Sequence, residues 1–177
     1  MIDYKGQLNM GNEALQSEKT ITANEVLRTC DTTRIYDTAS GWFQGSESDV
    51  VSEHVYFKDL NDAKLSILPN KPLCLTEFGG YSLKVDGHSF NLDKTYGYRS
   101  IKTEAEYNEA ILKLYRCQII PLIERGLCAS IFTQLSDVED EVNGFLTYDR
   151  QICKIDESKM KAISDDIIAV FKVNLPI

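Results

Sequence analysis

The sequence predicts an α/β fold with parallel strands, and three observations carry that expectation. Apolar, strand-like runs alternate with amphipathic helical segments along the chain. The strand runs are apolar enough to be buried beneath helices, as strands of parallel sheets are. No internal repeat, low-complexity tract or proline-rich linker breaks the alternation. At 177 residues the chain is sized for one domain with a real core, spanning 1–177. Periodicity alone leaves a barrel and a doubly wound sheet equally open.

Taken in order, residues 17–29 form a helix, with Thr22 and Glu25 spaced as a capping box. Residues 33–39 (TRIYDTA) make a short strand running into a Ser40-Gly41-Trp42 turn. DVVSEHVYF (49–57) is a second strand and PLCLTEF (72–78) a third. Residues 79–102 are rich in glycine, tyrosine and polar side chains and show no period, the mark of a long functional or disordered loop. From Thr103 the pattern turns helical: Thr103 and Glu106 make a second capping box, and Ala110, Ile111, Leu114 and Tyr115 form one apolar stripe. Pro121 is expected to kink that helix near its end and Gly126 to stop it. CASIFTQL (128–135) is the next strand, followed by the acidic loop SDVEDEVNG. A last helix, 157–172, places Met160, Ile163, Ile167, Val170 and Phe171 on one face.

Composition excludes several function classes. A net charge of -8 and a pI near 4.8 repel phosphate backbones, which argues against a nucleic-acid partner. No apolar run approaches the roughly 18 to 20 residues of a membrane span. The opening MIDYKGQLNMGNE lacks the basic start and apolar stretch of a secretory signal, so the chain reads as intracellular and cytoplasmic. Its five cysteines stand singly, at spacings that suit a reducing compartment, and Cys74 and Cys128, inside apolar runs, read as buried structural thiols. Two histidines, His54 and His88, give a zinc site little to build on, and no metal or cofactor is expected.

Polar groups at strand ends are the candidate chemistry. His54 and Tyr56, two apart, point to one face of a strand. Glu77 ends the next strand and Gln134 the last, and in (β/α) barrels the active site is built from such C-terminal ends. Trp42, the single tryptophan, either plugs an apolar gap or stacks on a sugar ring. The run Asp137, Glu139, Asp140, Glu141 lacks the spacing and central glycine of a calcium loop and reads as a solvated or helix-capping loop.

Together, DTTR (31–34), SGW (40–42), SDVVSEHVYF (48–57), LTEFGGYS (75–82), YGY (96–98) and TQLSDVEDEVNGFLTYDR (133–150) resemble glycoside hydrolase family 2. The likeness is to the C-terminal part of the catalytic barrel of its β-galactosidase and β-glucuronidase-like members, and it covers residues 31 to about 155, with 1–30 poorly matched. The resemblance implies a partial (β/α)8 TIM barrel, roughly strands 4/5 to 8 with their helices. It also implies a carbohydrate substrate and retaining hydrolysis of β-glycosidic bonds. Glu77 would be the nucleophile, Tyr56 beside His54 would orient it, and Trp42 and Gln134 would lie at the rim of the sugar cleft. A second, protonated carboxyl about 5 to 5.5 Å from the first would protonate the leaving oxygen. The family's acid/base glutamate follows an asparagine, which maps to Asn12-Glu13. Here Ala14-Leu15-Gln16 comes next, where the family pattern has Gly-Trp-Gly, and KGQLNMG before it is too polar for a buried strand.

A whole TIM barrel takes about 250 residues. Four or five strands leave open edges, which predicts either a longer enzyme, of which this is a part, or self-association. The alternative reading is a catalytically inactive remnant, serving as a carbohydrate- or partner-binding α/β domain.

Overall fold

The computed structural model describes residues 8–9, 18–38, 40–41, 44–45 and 47–174. Its strands are β1 (Leu8–Asn9), β2 (Tyr36–Asp37), β3 (Val51–Val55), β4 (Leu73–Gly79), β5 (Tyr81–Leu83), β6 (Arg99–Ile101) and β7 (Leu127–Thr133). Its helices are α1 (Glu18–Cys30), α2 (Glu104–Leu114), α3 (Ile120–Glu124) and α4 (Glu157–Asn174), with a π-turn (Tyr115–Ile119) joining α2 to α3. The fold is mixed α/β, with a small parallel sheet in the order β3-β4-β7 and two-stranded parallel pairs β1-β2 and β5-β6. Among the described residues no helix is long and apolar enough to cross a membrane.

The chain packs into two units, one of Met1–His54, Lys64–Glu77 and Gly126–Ser130, the other of Val55–Ala63, Phe78–Arg125 and Ile131–Ile177. In the first unit, α1 is anchored through Arg28. Its guanidinium bonds both carboxylate oxygens of Asp49, at 2.7 and 3.3 Å, and lies 4.5 Å from the centre of the Tyr36 ring. Asp49 in turn accepts from the Tyr36 amide at 2.8 Å, which fixes β2 against the start of β3. Along β4 every residue but one is buried, as expected of an apolar strand covered on both faces, and the exception is Glu77.

In the second unit, Phe78 is fully buried and meets the rings of Tyr115 and Phe132 edge-on, each at 5.7 Å. Thr103 caps α2, its hydroxyl accepting from the Glu106 amide at 3.2 Å, and Ile111, Leu114 and Tyr115 turn inward as their spacing predicts. Pro121 is accommodated by the π-turn ahead of it. Proline has no amide for the carbonyl four residues back, and that carbonyl, of Cys117, accepts from Asn61 Nδ2 at 3.3 Å. The helical run ends at Glu124, and Gly126 follows with φ +100°. On α4 only Ile163 is fully buried, with Met160, Ile167, Val170 and Phe171 half-buried along the same stripe.

Four sequence expectations are corrected. Thr22 does not cap α1, which begins at Glu18 and places Thr22 one turn inside. Residues 79–102 are not one irregular loop: Tyr81, Ser82 and Leu83 pair with Arg99, Ser100 and Ile101, in strands too short to display a period. Cys128 is exposed, because β7 is an edge strand whose first turn outward meets solvent, whereas Cys74 in the central strand is buried. The acidic loop is not wholly solvated, for Asp137 is buried against Lys154.

Candidate active site

Within the first unit the structure brings Glu77 and His54 together, with His54 Nδ1 3.3 Å from Glu77 Oε2. Neighbouring parallel strands β3 and β4 present the two side chains, and their exposures differ sharply. The His54 side chain is 1% exposed and that of Glu77 30%. The imidazole is thus a buried support and the carboxylate the group that meets solvent. Burial holds the His54 pKa below its ordinary 6.5, against the upward pull of the Glu77 charge, so the ring is neutral at pH 7.

The far side of the ring is fixed by hydroxyls. His54 Nε2 lies 2.9 Å from Ser40 Oγ, and that oxygen is also 3.1 Å from Thr76 Oγ1 and 3.2 Å from Ser52 Oγ. Ser52 and Thr76 meet at 2.5 Å. Asp37, fully buried, accepts from Ser48 Oγ at 3.1 Å, and burial pushes its carboxyl up against hydrogen bonds from Ser52, Ser48 and Ser40. Gly41 closes the pocket over the ring. A Cβ there would lie 2.2 to 2.4 Å from three imidazole atoms, and its φ of +83° is one that L side chains rarely adopt.

Ser40, His54 and Glu77 follow the order of a serine-hydrolase triad, but the burial runs the wrong way. A nucleophilic serine must reach a substrate carbonyl, and Ser40 is wholly buried with its hydroxyl shared among three partners. The arrangement instead holds one half-exposed carboxylate two residues before the end of β4, beside a buried ring anchored by a hydroxyl.

Tyr56 and Gln134 belong to the second unit, one residue beyond β3 and one beyond β7. The Tyr56 hydroxyl is 3.0 Å from Thr133 Oγ1, and its ring stacks on Tyr98 with centroids 3.8 Å apart. Gln134 Nε2 donates to Asn143 Oδ1 at 2.8 Å and to Glu141 Oε2 at 3.1 Å. Asn12, Glu13 and Trp42 lie outside the described residues. Among the described residues no group of three or more His, Cys, Asp or Glu is placed to hold a metal ion.

Sequence reading missed Ser40, Ser52 and Thr76. A signal existed for Ser52 alone, which stands two residues before His54, so that both side chains share a face of β3. The two glycines after Glu77 also have physical reasons. A Cβ on Gly79 would strike the Phe132 ring at 2.3 Å, and one on Gly80 the Tyr98 ring at 2.4 Å. Set against models of known protein families and against curated proteins, the chain matches none of them.

Proposed function

We propose that the chain is the C-terminal part of a family 2 glycoside hydrolase catalytic barrel, cleaving β-glycosidic bonds with retention and with Glu77 as nucleophile. The observation that carries this is the placing of Glu77, the one half-exposed residue of β4, 3.3 Å from a buried neutral imidazole. The strand order supports it too. β3, β4 and β7 lie side by side in chain order without reversal, as barrel strands do.

In the first step a Glu77 oxygen bonds the anomeric carbon while the glycosidic C–O bond breaks and the leaving oxygen takes a proton from an acid. Water then displaces Glu77, giving its proton to the same group acting as base. The family pattern assigns that role to Glu13, with Asn12 beside it. By the same family pattern Tyr56, beside His54, would orient the nucleophile, and Trp42 and Gln134 would lie at the rim of the sugar cleft.

The test uses 2,4-dinitrophenyl β-galactoside, β-glucuronide and β-glucoside, whose leaving groups depart without a proton. Glu77→Gln is expected to lower turnover on the order of a thousandfold or more. Equal turnover by Glu77→Gln would remove Glu77 from the chemistry.

A second reading, a non-catalytic carbohydrate- or partner-binding α/β domain, is favoured by the sheet. Three strands among the described residues leave edges that a closed barrel would pair. Absence of turnover by the unmodified chain on all three substrates supports that reading, and sedimentation checks whether the open edges self-associate.

A further inference from the structure

Four aromatic rings gather in the second unit. Tyr56 and Tyr98 stack with centroids 3.8 Å apart and planes 10° from parallel, while Phe57 and Tyr96 meet Tyr98 edge-on at 5.1 and 5.8 Å. A cluster that existed only to fill a core would be covered. Here Phe57 is 74% and Tyr96 52% exposed. The backbone under the cluster is bare: Gly80 gives the rings of Tyr98 and Tyr56 room that a Cβ would take, and its carbonyl accepts from the Tyr98 amide at 3.0 Å. The Tyr56 hydroxyl is tied to Thr133, so the lower ring is fixed in place.

Tyr96 belongs to a second surface as well. With Gln134 and Glu141 it lines a cavity of about 430 Å³. The Gln134 amide nitrogen gives both its hydrogens, to Glu141 and Asn143. Besides the Tyr96 hydroxyl, the side-chain polar groups left on the cavity lining are acceptors: the Gln134 carbonyl oxygen and the carboxylates of Glu139, Asp140 and Glu141. Exposed rings beside acceptors suit a pyranose, which offers an apolar C–H face to the rings and hydroxyl donors at its edge. They do not suit a nucleotide, which needs a basic groove beside its stacking rings, and the chain carries a net charge of -8.

We propose that Phe57, Tyr96 and Tyr98 form a platform that binds a neutral pyranose ring of a saccharide longer than one sugar, with Gln134 and Glu141 accepting its hydroxyls. The sugar as ligand class rests on the function proposed above; the site itself lies wholly within the second unit.

The test is calorimetric titration of the full chain carrying Glu77→Gln with cellobiose and lactose. Binding of at least one disaccharide is expected, and adding Phe57→Ala and Tyr96→Ala is expected to weaken it about five- to tenfold. Both rings are exposed, so the circular dichroism spectrum and unfolding midpoint stay as they were. Tyr96→Phe, which keeps the ring, is expected to retain the binding. No disaccharide bound, or equal binding without the rings, overturns the platform. If aryl glycosides are hydrolysed while no disaccharide binds, the platform alone falls. If ring-dependent binding appears without hydrolysis, the platform stands and the hydrolase reading falls.

Discussion

The setting of Glu77 depends on how firmly the imidazole beside it is held, and Gly41 is the residue that decides this. Any side chain at position 41 must occupy space the His54 ring already fills, at 2.2 to 2.4 Å, and must do so at φ +83°. Gly41→Ala is expected to destabilise the fold by about 1–3 kcal/mol, as overpacking does. It should also lower turnover of the dinitrophenyl glycosides. Urea unfolding and the aryl-glycoside assay check the two parts; an unchanged midpoint would mean the glycine is not needed for space. Glu77 itself was legible in the sequence, because one charge at the end of an apolar run violates the pattern around it. The hydroxyls of Ser40, Ser52 and Thr76 were not. A buried serine differs from a surface serine only in its neighbours, and those come from three separate stretches of chain.

Elements were legible in proportion to their length. The stripe on α2 and the apolar run of β4 are long enough to be read, whereas three-residue strands such as β5 and β6 end before the two-residue alternation can repeat. Caps show the limit of local motifs. Both Thr22-x-x-Glu25 and Thr103-x-x-Glu106 fit a capping box, and only the second stands where a helix begins. Thr103→Ala is accordingly expected to cost about 1 kcal/mol, and Thr22→Ala much less, because Thr22 is an exposed interior position. Thermal unfolding of the two variants side by side measures the difference, and equal losses would contradict the cap.

At the largest scale, the second unit rests on a group that composition would place at the surface. Lys154 is buried, and its ammonium donates to Asp137 Oδ1 at 2.7 Å and to the Leu83 and Val142 carbonyls at 3.0 Å each. Asp137 Oδ1 also accepts from the Gly144 amide at 2.8 Å. One side chain thereby ties β5 to the loop after β7, segments more than fifty residues apart in sequence. Lys154→Met leaves the Asp137 charge buried without its partner and is expected to cost about 3–5 kcal/mol. Adding Asp137→Asn removes the stranded charge while keeping an acceptor for Gly144, and part of the loss should return in a urea double-mutant cycle. A double variant no more stable than Lys154→Met would argue against the pair. Sequence could not show this strut, since nothing local distinguishes an inward lysine from an outward one.

Thiol placement gives the strand that carries Glu77 a reporter of its own. Cys30, Cys117 and Cys128 are exposed, but Cys74 is buried in β4 and its thiol is pushed up to about 11 by that burial. A thiolate-seeking reagent therefore meets the exposed sulfurs in the folded chain and reaches Cys74 only when β4 opens. Because Cys74 stands three residues ahead of Glu77, the rate of its modification counts how often that carboxylate leaves its place.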